Sequence, residues 1–176
     1  MTTSIIFFGS AAGNIAQYAQ KNKQWQTTPK LWIDTNSTPA LEQSDCEFIT
    51  WNENEALDLT SFTEGHSRVI LVAGLSGSVG SRANDLALQL VKQGINVRPI
   101  VIKPFAFEGQ ERHKIADRVI ESMAQYLSTL TMFDNELILK WLGDGKTLVD
   151  GFEECNRQVV EHIDGLLVEG NQWPVV

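Results

Sequence analysis

The sequence predicts an α/β domain with a doubly wound, mostly parallel sheet and a long helix near its end. Three observations carry that expectation. Short apolar runs each stop at small or polar residues, helical stretches of crossover length separate the later runs, and one apolar stripe persists over residues 147–168.

The first run, Ser4-Ile-Ile-Phe-Phe-Gly9, is followed by Ser-Ala-Ala-Gly13-Asn14 and then by helical spacing through Ala16 and Ala19. That order reads as strand, tight turn, helix. Leu31-Trp-Ile33 ends at Asp34-Thr-Asn36, Arg68-Val-Ile-Leu-Val72 runs into Ala73-Gly74-Leu-Ser-Gly77-Ser-Val-Gly80, and residues 95–102 end at Lys103-Pro104. Each is a strand by the same reasoning. Residues 83–93 and 110–127 are the expected crossover helices, residues 129–133 a further strand, and residues 135–142 a short helix. In the final helix Leu148, Phe152, Cys155, Val159, Ile163 and Leu166 recur at steps of three or four, with Glu153, Glu154 and Glu161 mostly off that face. Residues 46–51 read as an edge strand and residues 52–65, acidic with few apolar side chains, as a loop.

The 176 residues, 43% hydrophobic and 20% charged, suit one domain over 1–176 with a sizeable core. A net charge of -8 repels phosphate backbones, so general nucleic-acid binding is disfavoured. No apolar run approaches the ~20 residues that span a bilayer, and the N-terminus lacks signal-peptide order, so neither a membrane nor secretion is expected and a cytoplasmic location is. Cys46 and Cys155 form no C-x-x-C, and His66, His113 and His162 show no ligand-like spacing. A disulfide framework and a zinc site both drop out.

In an open parallel sheet, ligands collect beyond the carboxyl ends of the strands. Gly74, Gly77 and Gly80 are spaced three apart among small residues, so backbone amides there could meet an anion without obstruction; the plainer reading is a tight strand-to-helix turn. The run lacks Gly-Lys-Ser/Thr and is no P-loop, and the first turn, Gly9 to Gly13, lacks the dinucleotide spacing.

The string Lys103-Pro-Phe-Ala-Phe-Glu108-Gly109-Gln-Glu-Arg112 resembles the tubulin/FtsZ family, and bacterial FtsZ more than tubulin. In the same order the chain resembles FtsZ at residues 6–14, at Trp32-Ile-Asp34-Thr35-Asn36, at residues 73–82, at 135–143 and at Leu148-Val-Asp-Gly-Phe152-Glu-Glu-Cys-Asn156. The match covers the family's Rossmann-like nucleotide-binding domain and its long central helix. It implies a pocket for GTP or GDP, with Mg2+ in doubt. By that resemblance Phe152 stacks on the guanine and Asn156 pairs with its edge; residues four apart share a helix face, which agrees. Glu108 and Arg112 fall on ribose and phosphate contacts, their plainer reading being a surface ion pair. Gly9, Gly13 and Asn14 match the first turn and helix start; Gly74, Gly77, Ser78, Gly80 and Ser81 match the phosphate turn; Asn135 with Glu136 matches an Asn-Asp pair.

The departures lie where a terminal phosphate would sit. Against the family's G-G-G-T-G-[ST]-G the chain has Ser76-Gly-Ser-Val79-Gly-Ser-Arg82, so a threonine hydroxyl is lost to Val79 and the last glycine to Arg82. The arginine would either replace lost amide contacts or block the site. The family's acidic N-T-D residue is Asn36 here, and residues 52–65 contain no recognisable phosphate-sensing loop. The family's catalytic loop carries N-x-D-x-x-D, of which only Asn171 has an argued match, and its second, activating domain is expected to be absent. The sequence therefore assigns no catalytic residue and leaves enzyme status open. It supports a guanine-nucleotide-binding module with little or no intrinsic hydrolysis, acting through FtsZ or other filament and cell-division proteins. The alternatives are a nucleotide-free pseudo-GTPase interaction protein and a GTPase completed in trans by a partner's catalytic loop.

Overall fold

The computed structural model describes residues 2–22, 24–36, 45–169 and 173. Six strands, β1 (Thr2–Phe8), β2 (Lys30–Asp34), β3 (Glu47–Thr50), β4 (His66–Gly74), β5 (Asn96–Lys103) and β6 (Thr131–Asp134), form one sheet in the order β3-β2-β1-β4-β5-β6. All five pairings are parallel, with Phe7 opposite Trp32 on one side and Val72 on the other. The sheet is fully parallel, and the segment expected at its edge, β3, is an edge strand.

Strict alternation along the central strands sends side chains to two cores. Ile6, Phe8, Val69 and Leu71 face one core with α3 (Ala83–Lys92) and α4 (Gln110–Ala124). Ile5, Phe7, Ile70 and Val72 face the other with α1 (Ser10–Lys21), α5 (Asn135–Leu142) and α6 (Leu148–Glu169). The apolar stripe of α6 is buried from its second turn onward, at Cys155, Val159, Ile163 and Leu166, while Leu148 and Phe152 at its start are exposed. Trp25 ties this layer to α6, its Nε1 donating to Asp164 Oδ1 at 2.6 Å. Trp173 is buried as well, donating to the Leu166 carbonyl, with the Arg98 guanidinium 5.0 Å from its ring centre.

Several boundaries differ from expectation by one to three residues. The last strand starts at Thr131 rather than 129 and runs to Asp134. The helix expected over 110–127 ends at Ala124, after which a turn carries Leu127 into the core. The first helix begins at Ser10, so Gly13 lies inside it, where a β-carbon would fall 1.9 Å from the Trp32 ring. The expected loop over 52–65 contains a short helix, α2 (Thr60–Thr63), and buries Leu59 and Phe62 beside Trp51; these anchors are too few and too irregularly spaced to make a periodic signal.

Candidate functional site

A cavity of about 420 Å³ opens beyond the carboxyl ends of the strands, at the β1/β4 boundary where the winding reverses. That is where doubly wound sheets place ligands, and the volume falls within the range of small-molecule sites.

Two glycine turns form one wall. Gly9 leaves β1 at φ +88°, a conformation that favours glycine, and its N–H donates to the Ile33 carbonyl at 2.9 Å. Behind it the buried Asp34 carboxylate accepts from Ser10 Oγ and from the Thr35 N–H, both at 2.8 Å, fastening the ends of β1 and β2 together. The second turn follows β4. A β-carbon on Gly80 would sit 1.8 Å from the Gly74 carbonyl oxygen, and one on Gly74 would sit 2.4 Å from the Ala11 methyl carbon. Gly77 is different, since a β-carbon there meets nothing within 4 Å. Ser81 closes the turn, its N–H donating to the Gly77 carbonyl at 3.0 Å and its Oγ to the Ser78 carbonyl at 2.7 Å.

The two substituted positions have clear destinations. Val79 lines the cavity and is buried against the α3 core, so its methyl groups serve packing where a hydroxyl would not. Arg82 leaves the cavity altogether. Its guanidinium lies 5.1 Å from the centre of the Trp51 ring and donates to the Glu53 carbonyl at 2.8 Å, with Asp85 at 3.4 Å. The arginine therefore neither blocks the cavity nor supplies it with charge, and instead pins residues 51–53 to the start of α3.

The opposite wall comes from β5, α4, α5 and α6. After β5 the chain makes a short turn over Ala106–Glu108, with Glu108 Oε2 accepting from the Phe105 N–H at 2.7 Å and Oε1 facing Arg112 at 3.3 Å. Lys103 is likewise paired, 2.8 Å from Asp117. Both cations on this wall are thus matched by carboxylates, and anion binding there would rest mainly on backbone amides. Asn135 is 6% exposed, and its Oδ1 has no hydrogen-bond partner. Phe152 is 43% exposed and meets the fully buried Phe105 edge-on, ring centres 4.9 Å apart.

Of the residues singled out from sequence, Gly9, Asn14, Gly74, Gly77, Ser78 and Gly80 lie on the glycine wall, and Glu108, Arg112, Asn135 and Phe152 on the wall facing it. Gly13, Ser81 and Asn156 do not line the cavity: the first packs on Trp32, the second braces the turn, and the third lies one helical turn beyond Phe152, half-buried. Asp34 and Lys103 line the cavity and were not singled out; a charged residue ending an apolar strand was the signal for both. Asn171 lies outside the described residues. Among the described residues no cluster of three or more His, Cys, Asp or Glu could hold a metal, and no helix is long and apolar enough to cross a membrane. Cys46 and Cys155 form no disulfide, and burial pushes both thiols up to about 12.

No protein-family model matches the chain. In sequence it is 32% identical over 114 residues to the cell division protein FtsZ of Coxiella burnetii, covering 64% of this chain and 30% of that protein. It is 31% identical over 109 residues to FtsZ of Buchnera aphidicola, covering 61% of this chain and 28% of that one. In structure it superposes on an empty FtsZ dimer from M. jannaschii with a TM-score of 0.79 at 20% identity, over 96% of this chain and 54% of that chain. The chain is thus similar to FtsZ in sequence and in fold. CetZ2 of Haloferax volcanii, solved as a GTPγS-bound protofilament, shares the fold at a TM-score of 0.74 and 20% identity, over 97% of this chain and 59% of that one. The chain spans about 30% of the length of these curated relatives and between half and three-fifths of these solved chains.

Proposed function

We propose that this FtsZ-like domain binds a guanine nucleotide, GDP or GTP, in the cavity between the glycine turns and Phe152, and hydrolyses it little or not at all. One observation carries the reading: the cavity is open, because Arg82, the bulkiest departure in the phosphate turn, is held outside it by Trp51 and Glu53. The phosphates lie along the Gly74–Gly80 turn and the base against Phe152. Support for weak hydrolysis comes from the two carboxylates lining the cavity. Asp34 is engaged by Ser10 and Thr35, and Glu108 by Phe105 and Arg112, so each of their oxygens already accepts a bond from the fold. By this reading the domain acts in cell division or filament assembly through contacts with FtsZ-type proteins.

The deciding experiment is calorimetric titration of the purified protein with GDP and GTP, alongside identification of any nucleotide it retains. Saturable binding that Phe152→Ala weakens about tenfold is expected, with phosphate release no faster than the blank. No bound nucleotide, no heat, and no GDP-dependent rise in melting temperature would overturn it. A second reading, a nucleotide-free interaction domain, is favoured by one observation: Asn156, the residue aligned with the base-edge contact, does not line the cavity.

A further inference from the structure

The turn that carries Glu108 is held by more than its own residues. The Phe105 carbonyl lies 3.0 Å from His113 Nε2 in α4, and the Ala106 N–H donates to Glu136 Oε2 in α5 at 3.0 Å. Glu136 is itself aimed by the helix start, since Asp134 Oδ1 accepts from the Glu136 N–H at 2.9 Å and the Leu137 N–H at 3.2 Å. The Ala106 N–H holds the Glu136 carboxyl below the ordinary carboxylate range, as a bond to the charged form must. This bond crosses between the β5 and β6 ends of the sheet and is non-local, thirty residues apart in sequence.

Its mechanical consequence reaches the ring wall. Ala106 follows Phe105, whose fully buried ring receives the edge-to-face contact of Phe152. A β-carbon on Gly151 would meet the Phe105 ring at 3.4 Å, so the start of α6 also rests on that side chain. Asn135, with its unpartnered Oδ1 on the cavity wall, is the residue before Glu136. One carboxylate thus fixes together the turn bearing Glu108, the helix start bearing Asn135 and, through Phe105, the ring of Phe152.

We infer that Glu136 is a positioning residue for the base-and-ribose side of the cavity, setting its nucleotide affinity by locking the Phe105–Phe152 pair while making no contact with the ligand. This rests on the proposed guanine-nucleotide reading, and Glu136 itself does not line the cavity.

The test compares Glu136→Ala and Glu136→Gln with the unaltered protein in two measurements. The first needs no ligand: hydrogen exchange of the Ala106 amide and the ring resonances of Phe105 and Phe152. Glu136→Ala is expected to speed exchange at least tenfold and shift the ring resonances; Glu136→Gln, which keeps an acceptor oxygen, is expected to restore most of both. The second is titration with a fluorescent GDP analogue, where Glu136→Ala is expected to bind about tenfold more weakly and Glu136→Gln within threefold of the parent. Unchanged exchange and ring resonances in Glu136→Ala, or equal GDP affinity despite them, overturns the positioning role. Failure of the unaltered protein to bind GDP overturns the guanine-nucleotide reading and the affinity half of this one, while the ligand-free measurement still decides whether Glu136 locks the ring pair.

Discussion

Gly80 packs on Gly74 so closely that a β-carbon on the former would lie 1.8 Å from the latter's carbonyl oxygen. The neighbour is backbone in the central strand pair, so it cannot swing aside as a side chain would. Gly80→Ala is therefore expected to destabilise the fold by about 1–3 kcal/mol, the range of forced overpacking. Urea midpoints read this directly, and an unchanged midpoint would contradict the close approach.

Gly77, three residues earlier, makes the opposite prediction. It has open space around its α-carbon and no positive φ, so Gly77→Ala is expected to leave stability within about 0.5 kcal/mol of the parent. Any loss of GDP affinity in that variant then reports the ligand's approach to the backbone rather than damage to the fold. Binding unaffected by the methyl group would place the phosphates elsewhere.

Removing the Arg82 side chain takes away both the bond to the Glu53 carbonyl and the stacking on Trp51. Together these contribute about 1–2 kcal/mol at a half-exposed site. Arg82→Ala should lower stability by that amount and speed amide exchange across residues 52–57, while GDP affinity stays within twofold because the side chain does not line the cavity. A large change in affinity would mean that the guanidinium serves the ligand after all.

His162 in α6 is half-buried, 3.0 Å from Thr131 Oγ1 and edge-on to Phe133. Burial pulls its imidazole below the ordinary value of 6.5, against Glu169, which raises it, and alongside Arg98, which lowers it further. The folded state therefore binds a proton less readily than the unfolded chain, so this contribution to stability is complete above 6.5 and is lost as pH falls below it through the lower folded value. His162→Gln should flatten the pH dependence of the urea midpoint between about pH 7 and 5.5. An identical slope in the variant would remove His162 as its source.

Much of this architecture was legible from residue order. Apolar runs ending at glycine or a polar residue located the strands, and the stripe through Cys155, Val159, Ile163 and Leu166 identified the packed face of α6. The Lys103–Arg112 string pointed to the cavity's far wall. Residues 52–65 were opaque because Leu59 and Phe62 are isolated anchors within a polar segment and create no period. The destination of Arg82 was equally hidden: whether a long cation enters a cavity or folds back on Trp51 depends on a contact 29 residues away in the chain, which local spacing cannot encode. Likewise the role of Gly13 emerges only from the Trp32 ring on the adjacent strand.

The contrast among the glycines bears on how such a domain would age. Steric exclusion alone obliges Gly13, Gly74 and Gly80 to stay, whatever occupies the cavity, so a lineage that had abandoned its ligand would still carry them as fossils of packing. Of the described glycines lining the cavity, only Gly77 is released to drift once nothing needs to come near it. Its identity across descendants, read singly and not as part of the glycine-rich run, is the gauge of whether a ligand still exerts selection on this domain.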